Sequence, residues 1–379
     1  MSGGGTGGHI IPNIALIQEL RDRYPAPQNP EEEGLKILYI GTRSGMERAM
    51  MKEHHVLYRA ITCGKLRRYF SLWNVIDFFK IPIGVVQAFF QLLWFRPRAI
   101  FCKGGYVCFP VAIAGRLLRI PVLLHESDVT PGLANRMSAR FASTVCVSYE
   151  ESKKYFPHKK VAVTGNPVRR ELAFGTKENG MRFADFSEDK PVILFMGGSL
   201  GAEFINEIVF RNLNRLLLHY QVVHICGAGK MKPAEELLKL LEKKHRKNLS
   251  RYRAFNFVGP QMKDLYAAAA VIVSRAGAIS LAEIDFFEKP ALIIPLSKKV
   301  SRGDQITNSE VFSKHHPCSV LLEEEYTDGK FFHEIKRLLE LPNGSSGESE
   351  VSGTSLASKH HHKNKFAALE KIVSLLETA

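Results

Sequence analysis

The chain has 379 residues, of which 45% are hydrophobic and 24% charged, a composition typical of a globular protein with about two domains. Its formal net charge of +14 favours a polyanionic partner, for which nucleic acid, an anionic membrane and a phosphate-bearing substrate are all candidates. The six cysteines form no C-x-x-C pair and several lie in apolar runs, so we expect free thiols and no disulfide framework.

The N-terminus begins with Met1 followed by a glycine-rich segment, and we expect neither a signal peptide nor a strand before those glycines. A doubly wound sheet normally supplies a strand there, so the first sheet would lack a central member. A different start site and a shortened chain both remain open. The longest apolar stretch, 81–95, is shorter than the roughly 20 residues that span a bilayer.

Short β-branched runs alternate with helical segments along the chain, and they form two series. The runs are 36–40, 99–101, 122–124 and 161–163, then 192–196, 222–226, 271–273, 291–294 and 320–322. Unbroken apolar strands alternating with helices predict α/β domains with parallel sheets covered on both faces. We therefore predict two doubly wound, Rossmann-like domains at 1–166 and 167–341, a disordered Ser/Gly/Glu-rich insert at 342–362 and a C-terminal helix at 363–379.

Glycine-rich turns follow strands at four places in the two halves. They are 3–9, 104–106, 197–202 and 275–283. Glycines let a backbone approach a phosphate, and the helix that follows presents free N–H groups. Ordinary strand-to-helix turn chemistry explains any one of these loops equally well, but four in one chain favour a phosphate-bearing ligand.

The first loop satisfies G-x-G-x-x-G, which alone is a weak signal for a dinucleotide site. Such a site also needs an acid after the second strand, but that strand ends Gly41-Thr42-Arg43. The nicotinamide interpretation is therefore disfavoured. No G-K-[ST] sequence is present, so the chain has no P-loop.

His9 follows the first glycine run, near the first turn of a predicted helix. A helix N-terminus disfavours the imidazolium, and a neutral ring can accept a proton as a general base. A surface or capping histidine is the alternative, and the loop context favours the base. Glu283 lies one to two turns inside the helix after the fourth loop, where a carboxylate can accept hydrogen bonds from ribose hydroxyls.

The remaining histidines lack the spacing of a metal site, and we predict no metal ligands. The pairs at 54–55 and 315–316 and the run at 360–362 are expected to be surface features. His125-Glu126 is not part of an H-E-x-x-H motif, because Val129 occupies the second histidine's position. We expect the pair to line an interdomain cleft, with Asp128 just beyond.

Residues 66–98 combine basic and aromatic side chains. The basic residues are Arg67, Arg68, Lys80, Arg96 and Arg98, and the aromatic ones are Tyr69, Phe70, Trp73, Phe78, Phe79, Phe89, Phe90 and Trp94. This pattern suits docking on an anionic membrane. Packing of the aromatics against the first sheet is an equal alternative. A nucleic-acid partner is not expected, because no known binding module is visible.

Together these residues resemble the MurG family of UDP-N-acetylglucosamine transferases, which convert lipid I to lipid II in peptidoglycan synthesis. The resemblance covers nearly the whole chain in order: GGGTGGHIIP, GGYVCFP, IPVLLHE, GNPVR, MGGSLGA, SRAGAISLAE and DQITNS. It implies the GT-B architecture, two Rossmann-like domains facing across a cleft, and an inverting reaction without a metal or other cofactor. It also implies a peripheral enzyme on the cytoplasmic face of the bacterial inner membrane, with UDP-GlcNAc, lipid I and other cell-wall synthesis proteins as candidate partners.

The resemblance also implies site residues. His9 would be the base; Thr6, Gly7, Gly8, Tyr106, Glu126 and Asp128 would lie near the substrates; and Arg169 and Ser199 would contact the donor diphosphate. Val258 or Gly259 would meet the uracil, Ala278, Ile279, Ser280, Leu281 and Ala282 would wrap the phosphates, and Glu283 would bind the ribose. Asp304, Gln305 and Asn308 would complete the sugar site.

Two positions depart from the family pattern. Asp304-Gln305 stands where many members have two amides, and Asp128 replaces the asparagine of a His-Glu-x-Asn run. A carboxylate accepts hydrogen bonds but cannot donate them, so sugar selectivity would be affected.

There are two alternatives. One is another GT-B transferase, such as a diglucosyl-lipid or antibiotic-modifying enzyme. The other is a catalytically inactive binding protein that senses UDP-GlcNAc. The combined GGTGGH and GGYV loops argue against the first, and His9 with Glu283 argues against the second.

Overall fold

A computed structural model describes residues 1–5, 7–25, 34–64, 72–157, 160–187, 190–198, 201–230, 232–234, 236, 248–341 and 364–379. These residues divide into two compact units, Met1–Arg170 with Asn364–Ala379, and Glu171–Lys363. The limits proposed from the sequence stay a prediction, and the insert at 342–362 lies outside the described residues.

The first unit alternates strands and helices. Its strands are β1 (Leu38–Thr42), β2 (Leu57–Ile61), β3 (Ile100–Cys102), β4 (Val122–Glu126), β5 (Thr144–Val147) and β6 (Lys160–Val163). Its helices are α1 (Gly7–Arg23), α2 (Met46–Glu53), α3 (Leu72–Phe95), α4 (Cys108–Leu117) and α5 (Leu133–Ser138). All strand pairs are parallel, in the two groups β1-β2 and β3-β4-β5-β6.

Ser2 joins these two groups into one sheet. It forms parallel bridges to Ile40 of β1 and to Cys102 of β3. Its N–H donates to the Phe101 carbonyl at 2.8 Å, and its own carbonyl accepts from the Lys103 N–H at 2.9 Å. The position between β1 and β3 is therefore filled by Ser2, which corrects the expectation of a sheet without its central member.

The second unit is built on one six-stranded parallel sheet. Its strands are β7 (Val192–Met196), β8 (Gln221–Ile225), β9 (Tyr252–Phe255), β10 (Ala269–Ser274), β11 (Ala291–Ile293) and β12 (Cys318–Val320). Its helices include α6 (Lys177–Phe183), α7 (Glu203–His219), α8 (Met262–Ala268), α9 (Ala278–Phe287), α10 (Asp304–Phe312) and α11 (Asp328–Leu339). The strand order is β12-β11-β10-β7-β8-β9, which is the Rossmann order.

The central strands of each sheet are buried because helices cover both faces. Every residue of β4 and of β7 is buried, as the unbroken apolar runs predicted. On the second sheet, alternate residues of β7 point into different cores. Leu194 packs in one cluster with α8 and α9, and Phe195 packs in the other with α7 and α11.

The chain ends in a helix, α12 (Ala367–Glu377), which packs on the first unit. Leu369, Ile372 and Val373 are fully buried in a cluster with residues of α1, β3 and β4. Arg170, the last residue of the first of the unit's two segments, pairs with Glu19 of α1 and stacks on Phe366. The last segment of the chain is therefore part of the core of the first unit.

Two sequence expectations about cysteine and histidine have different outcomes. All six cysteines are free thiols, as expected. His316, expected at the surface, is buried and stacks on Phe312 with ring centroids 4.5 Å apart. Its Nδ1 lies 3.1 Å from Asp285, and its Nε2 lies 2.8 Å from the Lys289 carbonyl. His316 is therefore a satisfied core residue.

No helix in the described ranges is both long enough and apolar enough to cross a membrane.

Candidate active site

Each sheet has a switch point, where the strand order reverses direction and the loops on either side diverge. In the first unit it lies between Ser2 and β3, and in the second between β7 and β10. Ligands of doubly wound sheets bind outside the carboxyl ends of the strands at this point. The four glycine-rich loops predicted from the sequence are the four loops that flank the two switch points.

The first two loops pack directly against each other. Gly105 has φ +83°, and a Cβ there would collide with the Gly4 carbonyl oxygen, so only glycine fits. The Tyr39 hydroxyl donates to the Gly3 carbonyl at 2.8 Å, and Asn13 Nδ2 lies 3.0 Å from the same hydroxyl and from the His9 carbonyl. Buried side chains of β1 and α1 thus fix the glycine backbone.

His9 lies half-buried in the first turns of α1, with its Cε1 against Gly104. Burial and the charge of Lys103 lower the pKa of His9 to about 4, although the Lys103 carbonyl accepts a hydrogen bond that opposes the shift. The ring is therefore neutral at pH 7. Its buried Nδ1 has no hydrogen-bond partner among the described residues. A neutral imidazole can accept a proton.

Glu126 is almost completely buried, and its carboxylate accepts hydrogen bonds from residues of the first unit. It accepts from the Asp128 N–H at 3.0 Å, the Gly132 N–H at 3.2 Å and Asn135 Nδ2 at 2.9 Å. His125 is fully buried too. Within the first unit the pair holds the loop after β4, and Asp128 is the half-exposed member of the segment. That the pair lines a cleft stays a prediction.

Lys103 is a residue of this region that the sequence analysis missed. It follows β3 directly, precedes Gly104 and is completely buried. Its Nζ contacts His125 Nδ1 at 3.0 Å and also Ser127 Oγ. The sequence did contain a signal for this residue, which is a lysine directly after an apolar strand. A lysine buried at such a position needs hydrogen-bond partners for its ammonium group.

The other site residues predicted in the first unit differ in how far they are exposed. Gly7 begins α1 and Gly8 is exposed, while Tyr106 and Arg169 are half-buried. Arg169 belongs to the first unit, next to the division after Arg170. Thr6 lies outside the described residues.

In the second unit, the loop after β7 passes close to the loop after β8. Gly201 has φ +71°, and a Cβ there would collide with the Cys226 carbonyl, so the glycine permits the close approach. Asn206 Nδ2 donates to the same carbonyl at 3.0 Å and its Oδ1 lies 2.9 Å from His224 Nε2. Ser199, predicted to contact the diphosphate, lies outside the described residues.

The loop after β10 leads into α9, whose first residue is Ala278. Asn308, predicted as a sugar contact, is fully buried and donates from Nδ2 to the Ala276 carbonyl at 3.1 Å. It therefore anchors this loop to α10. Of the segment expected to wrap the phosphates, Ala278 and Leu281 are buried, and the half-buried members are Ile279, Ser280 and Ala282.

Glu283 is buried on α9, and its Oε2 accepts a hydrogen bond from the Tyr266 hydroxyl at 2.9 Å. Tyr266 belongs to α8, so the bond ties the two helices at the edge of the site. Val258 is buried and Gly259 half-buried in the loop between β9 and α8. Tyr266 carried no sequence signal, because one aromatic residue in a helix is ordinarily a core residue.

One of the two departures from the family pattern, Asp304-Gln305, lies at the start of α10. Gln305 Oε1 accepts from the Leu296 N–H at 3.0 Å, which fixes the loop after β11. The half-buried Asp304 has Arg302 3.6 Å away.

One face of α3 is apolar and exposed. Its exposed residues are Phe79, Ile83, Val86, Phe90, Leu93 and Trp94, at helical spacing. Arg59 lies over the Trp94 ring, 5.4 Å from its centroid. Phe89 packs against the core, so the core-packing interpretation applies to one side of the helix. Docking of the exposed face on a membrane stays a prediction. Residues 66–71 and the side chains of Trp73 and Phe78 lie outside what the structure describes.

Comparison with known proteins identifies the family. The glycosyltransferase family 28 N-terminal domain matches residues 1–147, and its C-terminal domain matches 192–364. A Bacillus cereus protein named UDP-N-acetylglucosamine–N-acetylmuramyl-(pentapeptide) pyrophosphoryl-undecaprenol N-acetylglucosamine transferase 2 is 43% identical over 337 residues, 89% of this chain and 90% of that protein. A Clostridium botulinum protein named as a transferase of the same kind is 41% identical over 358 residues, 93% and 94% of the two chains.

The chain belongs to the MurG family. The resemblance stated from the motifs is confirmed, and so is the prediction of a glycosyltransferase that transfers a hexose unit.

Solved structures agree with the fold. MurG of Acinetobacter baumannii matches with a TM-score of 0.69 at 24% identity, covering 100% of this chain and 98% of that one. A Neisseria meningitidis UDP-GlcNAc 2-epimerase bound to UDP-GlcNAc matches with a TM-score of 0.60 at 15% identity, covering 98% and 97%. At these identities the matches support the fold: two Rossmann-like domains of the GT-B class, as predicted.

Proposed function

We propose that this MurG-family chain transfers N-acetylglucosamine from UDP-GlcNAc to lipid I, forming lipid II. The geometric observation that carries the proposal is the neutral His9, whose ring is set against Gly104 at the switch point of the first sheet. The names of relatives more than 40% identical over most of the chain supply the substrates.

The reaction proceeds by one displacement at the anomeric carbon. The acceptor hydroxyl gives its proton to His9 as its oxygen attacks from the face opposite UDP, so the configuration inverts. Charge that develops on the departing diphosphate is stabilised by Arg169, by Ser199 and by the N–H groups at the start of α9. These groups take the part that a metal ion plays in other transferases, and the enzyme uses no cofactor.

Donor binding involves the second unit. The uracil meets the backbone at Val258 and Gly259, and the phosphates lie at 278–282. The ribose hydroxyls donate to Glu283, whose buried carboxylate is held by Tyr266. Asp304 and Gln305 contact the sugar, with Asn308 holding the adjacent loop.

The acceptor binds on the first unit, at Thr6, Gly7, Gly8, Tyr106 and Asp128. Its lipid anchor lies in a membrane, and the exposed apolar face of α3 docks the enzyme there. Its aromatic and aliphatic side chains would enter the boundary between headgroups and acyl chains, while nearby cations attract anionic lipid. The enzyme therefore works at the cytoplasmic face of the bacterial inner membrane, beside other cell-wall synthesis proteins, and has no nucleic-acid partner.

The chemistry is tested by product analysis in the presence of EDTA. The protein is incubated with UDP-GlcNAc and a lipid I analogue, and the new glycosidic bond is examined by NMR. We expect undiminished turnover in EDTA and a β-linked product from the α-linked donor. Loss of turnover that is restored by a divalent cation would contradict the metal-independent step, and an α-linked product would contradict inversion.

A further inference from the structure

Arg275 is a buried cation that the proposed reaction does not use. It follows β10 directly, begins the fourth glycine-rich loop and is 8% exposed. A buried guanidinium is costly unless a charge balances it and its N–H groups are hydrogen-bonded. Glu323, in the short 3₁₀ turn Glu323–Glu325 after β12, supplies that charge through a contact between its Oε1 and Nη1 of Arg275. The Glu323 side chain is 17% exposed, so the pair is largely shielded from water.

The same guanidinium also holds the loop after β11. Its Nη1 lies 3.1 Å from the Ile294 carbonyl oxygen and 3.2 Å from the Pro295 carbonyl oxygen. The paired residues of β10 and β11 end with Ser274 and Ile293. Arg275 therefore joins the two strands just beyond the end of their pairing.

The next two residues of this loop are held by side chains of other elements. The Leu296 N–H donates to Gln305 Oε1 of α10 at 3.0 Å. The Ser297 hydroxyl donates to Glu324 of the same 3₁₀ turn. Together with the guanidinium, these bonds fix all four residues 294–297 from outside the loop.

The fixed loop sets the position of one proposed sugar contact. Gln305 lies in the first turn of α10 beside Asp304, and its side chain is bound to the backbone of the loop. A side chain that contacts a ligand is placed accurately only when its own supporting residues are fixed. A displacement of 294–297 should therefore affect the sugar contacts. The contacts proposed for the nucleotide lie elsewhere, on α9 and on the loop before α8.

We propose that Arg275 is a positioning residue for the sugar end of the donor. Paired with Glu323, it holds the loop 294–297 so that Gln305, and with it Asp304, meets the sugar, and it does not itself contact the donor. The inference rests on the proposed function for the identity of the donor and of its sugar contacts. The alternative is that the ion pair only stabilises the second unit.

The affinities of matched variants for UDP-GlcNAc and for UDP test the positioning role. Glu323→Gln removes the charge that balances Arg275 and keeps the size of the side chain. Glu325→Gln, the same substitution at an exposed position of the same turn, is the control. By titration calorimetry, we expect Glu323→Gln to weaken binding of UDP-GlcNAc about tenfold and of UDP less than about twofold, because only the sugar contacts lose their alignment. Glu325→Gln should change neither affinity.

A second variant changes the cation. Arg275→Lys keeps the positive charge, but an ammonium group cannot reproduce the planar geometry with which the guanidinium meets a carboxylate and two carbonyls. It should also weaken UDP-GlcNAc binding more than UDP binding. In the Glu323→Gln background its effect should be smaller than in the wild type, because the two residues act as one pair.

The ratio of the two affinities separates positioning from stability. An ion pair that only stabilises the unit would lower the Tm and leave the ratio unchanged. That result, or an equal weakening of UDP and UDP-GlcNAc binding, would overturn the inference. If Arg275→Lys does not fold, Glu323→Gln still gives the ratio. If the wild type binds UDP-GlcNAc but releases no UDP with a lipid I analogue, the proposed transfer fails, while the affinity ratio still tests Arg275.

Discussion

At the scale of single residues, His9 is the group on which the chemistry depends. Replacing it by alanine removes the proton acceptor but leaves the proposed donor contacts of the second unit intact. We expect kcat to fall by about 10²–10⁴-fold, with the affinity for UDP-GlcNAc changed little. Stopped-time turnover and calorimetric titration with UDP-GlcNAc check the two quantities. A large loss of affinity with little change in kcat would contradict the base role.

Glu283 and Tyr266 make a matched pair for donor binding. Glu283→Ala removes the proposed ribose acceptor and the hydrogen bond that the Tyr266 hydroxyl donates to it, so we expect the affinity for UDP to fall at least about tenfold. Tyr266→Phe keeps the carboxylate and removes only its donor, so its effect should be smaller. Titration with UDP measures both. Equal effects would indicate that Glu283 acts through helix packing and not through the ribose.

At the scale of elements, the exposed apolar face of α3 is tested by membrane binding. Phe79, Phe90 and Trp94 are each more than 60% exposed, so serine at all three removes apolar surface without opening the core. We expect binding to anionic liposomes to weaken at least about tenfold. The similarly exposed Phe174, changed to serine, should leave binding unaltered. Unchanged liposome binding of the triple variant would contradict docking through α3.

The terminal helix α12 is predicted to stabilise the first unit. Ile372 is fully buried, and Ile372→Ala should lower the free energy of unfolding by about 2–5 kcal/mol, because a cavity replaces packed methyl groups. Ser374→Ala, on the exposed side of the same helix, should have little effect. Chemical denaturation compares them. A negligible effect of Ile372→Ala would mean that α12 does not pack as described.

At the scale of the whole molecule, buried neutral histidines make stability depend on pH. Burial lowers the pKa of His224 from 6.5 to about 3. Between these two pH values, the unfolded chain therefore binds a proton at His224 that the folded chain does not. Stability is therefore full above pH 6.5 and falls as the pH is lowered. At pH 4.5 the loss from His224 alone is about 3 kcal/mol, and His9 acts in the same direction.

The His224 contribution can be isolated by substitution. His224→Gln removes the titration, so the difference in Tm between pH 6.5 and pH 4.5 should shrink. His219→Gln, at an exposed position, is the control and should keep the wild-type difference. An unchanged difference in His224→Gln would contradict the assignment.

The sequence predicted the central strands because they are buried on both faces, as in β4 and β7. The β-branched runs did not include β5, whose four residues are buried, or β2 and β9, which lie at sheet edges. Residues in β2 alternate between exposed and half-buried positions, and Arg59 interrupts its apolar pattern. Edge strands have one covered side at most, so their apolar signal is weak.

The glycine loops and His9 were predictable because local turn chemistry marks them in the sequence. The residues that contact them and set their position or pKa were not predictable from the sequence. Lys103 acts on His9 and His125 only because β3 and β4 pair, and Tyr266 reaches Glu283 from another helix. His316 was predicted to be a surface residue because it follows His315 in a polar pair. In the fold it is buried, and its Nδ1 contacts Asp285, which is thirty-one residues away in the sequence. Such contacts depend on tertiary packing, which residue spacing does not encode.

The most direct test of the central claim is the acceptor dependence of UDP release. Wild-type protein with UDP-GlcNAc should release UDP only when a lipid I analogue is present, in equal amount to the disaccharide product formed. His9→Ala should abolish most of both. UDP release or conversion of the donor sugar without acceptor would contradict the account, because the protein would then act on the donor alone.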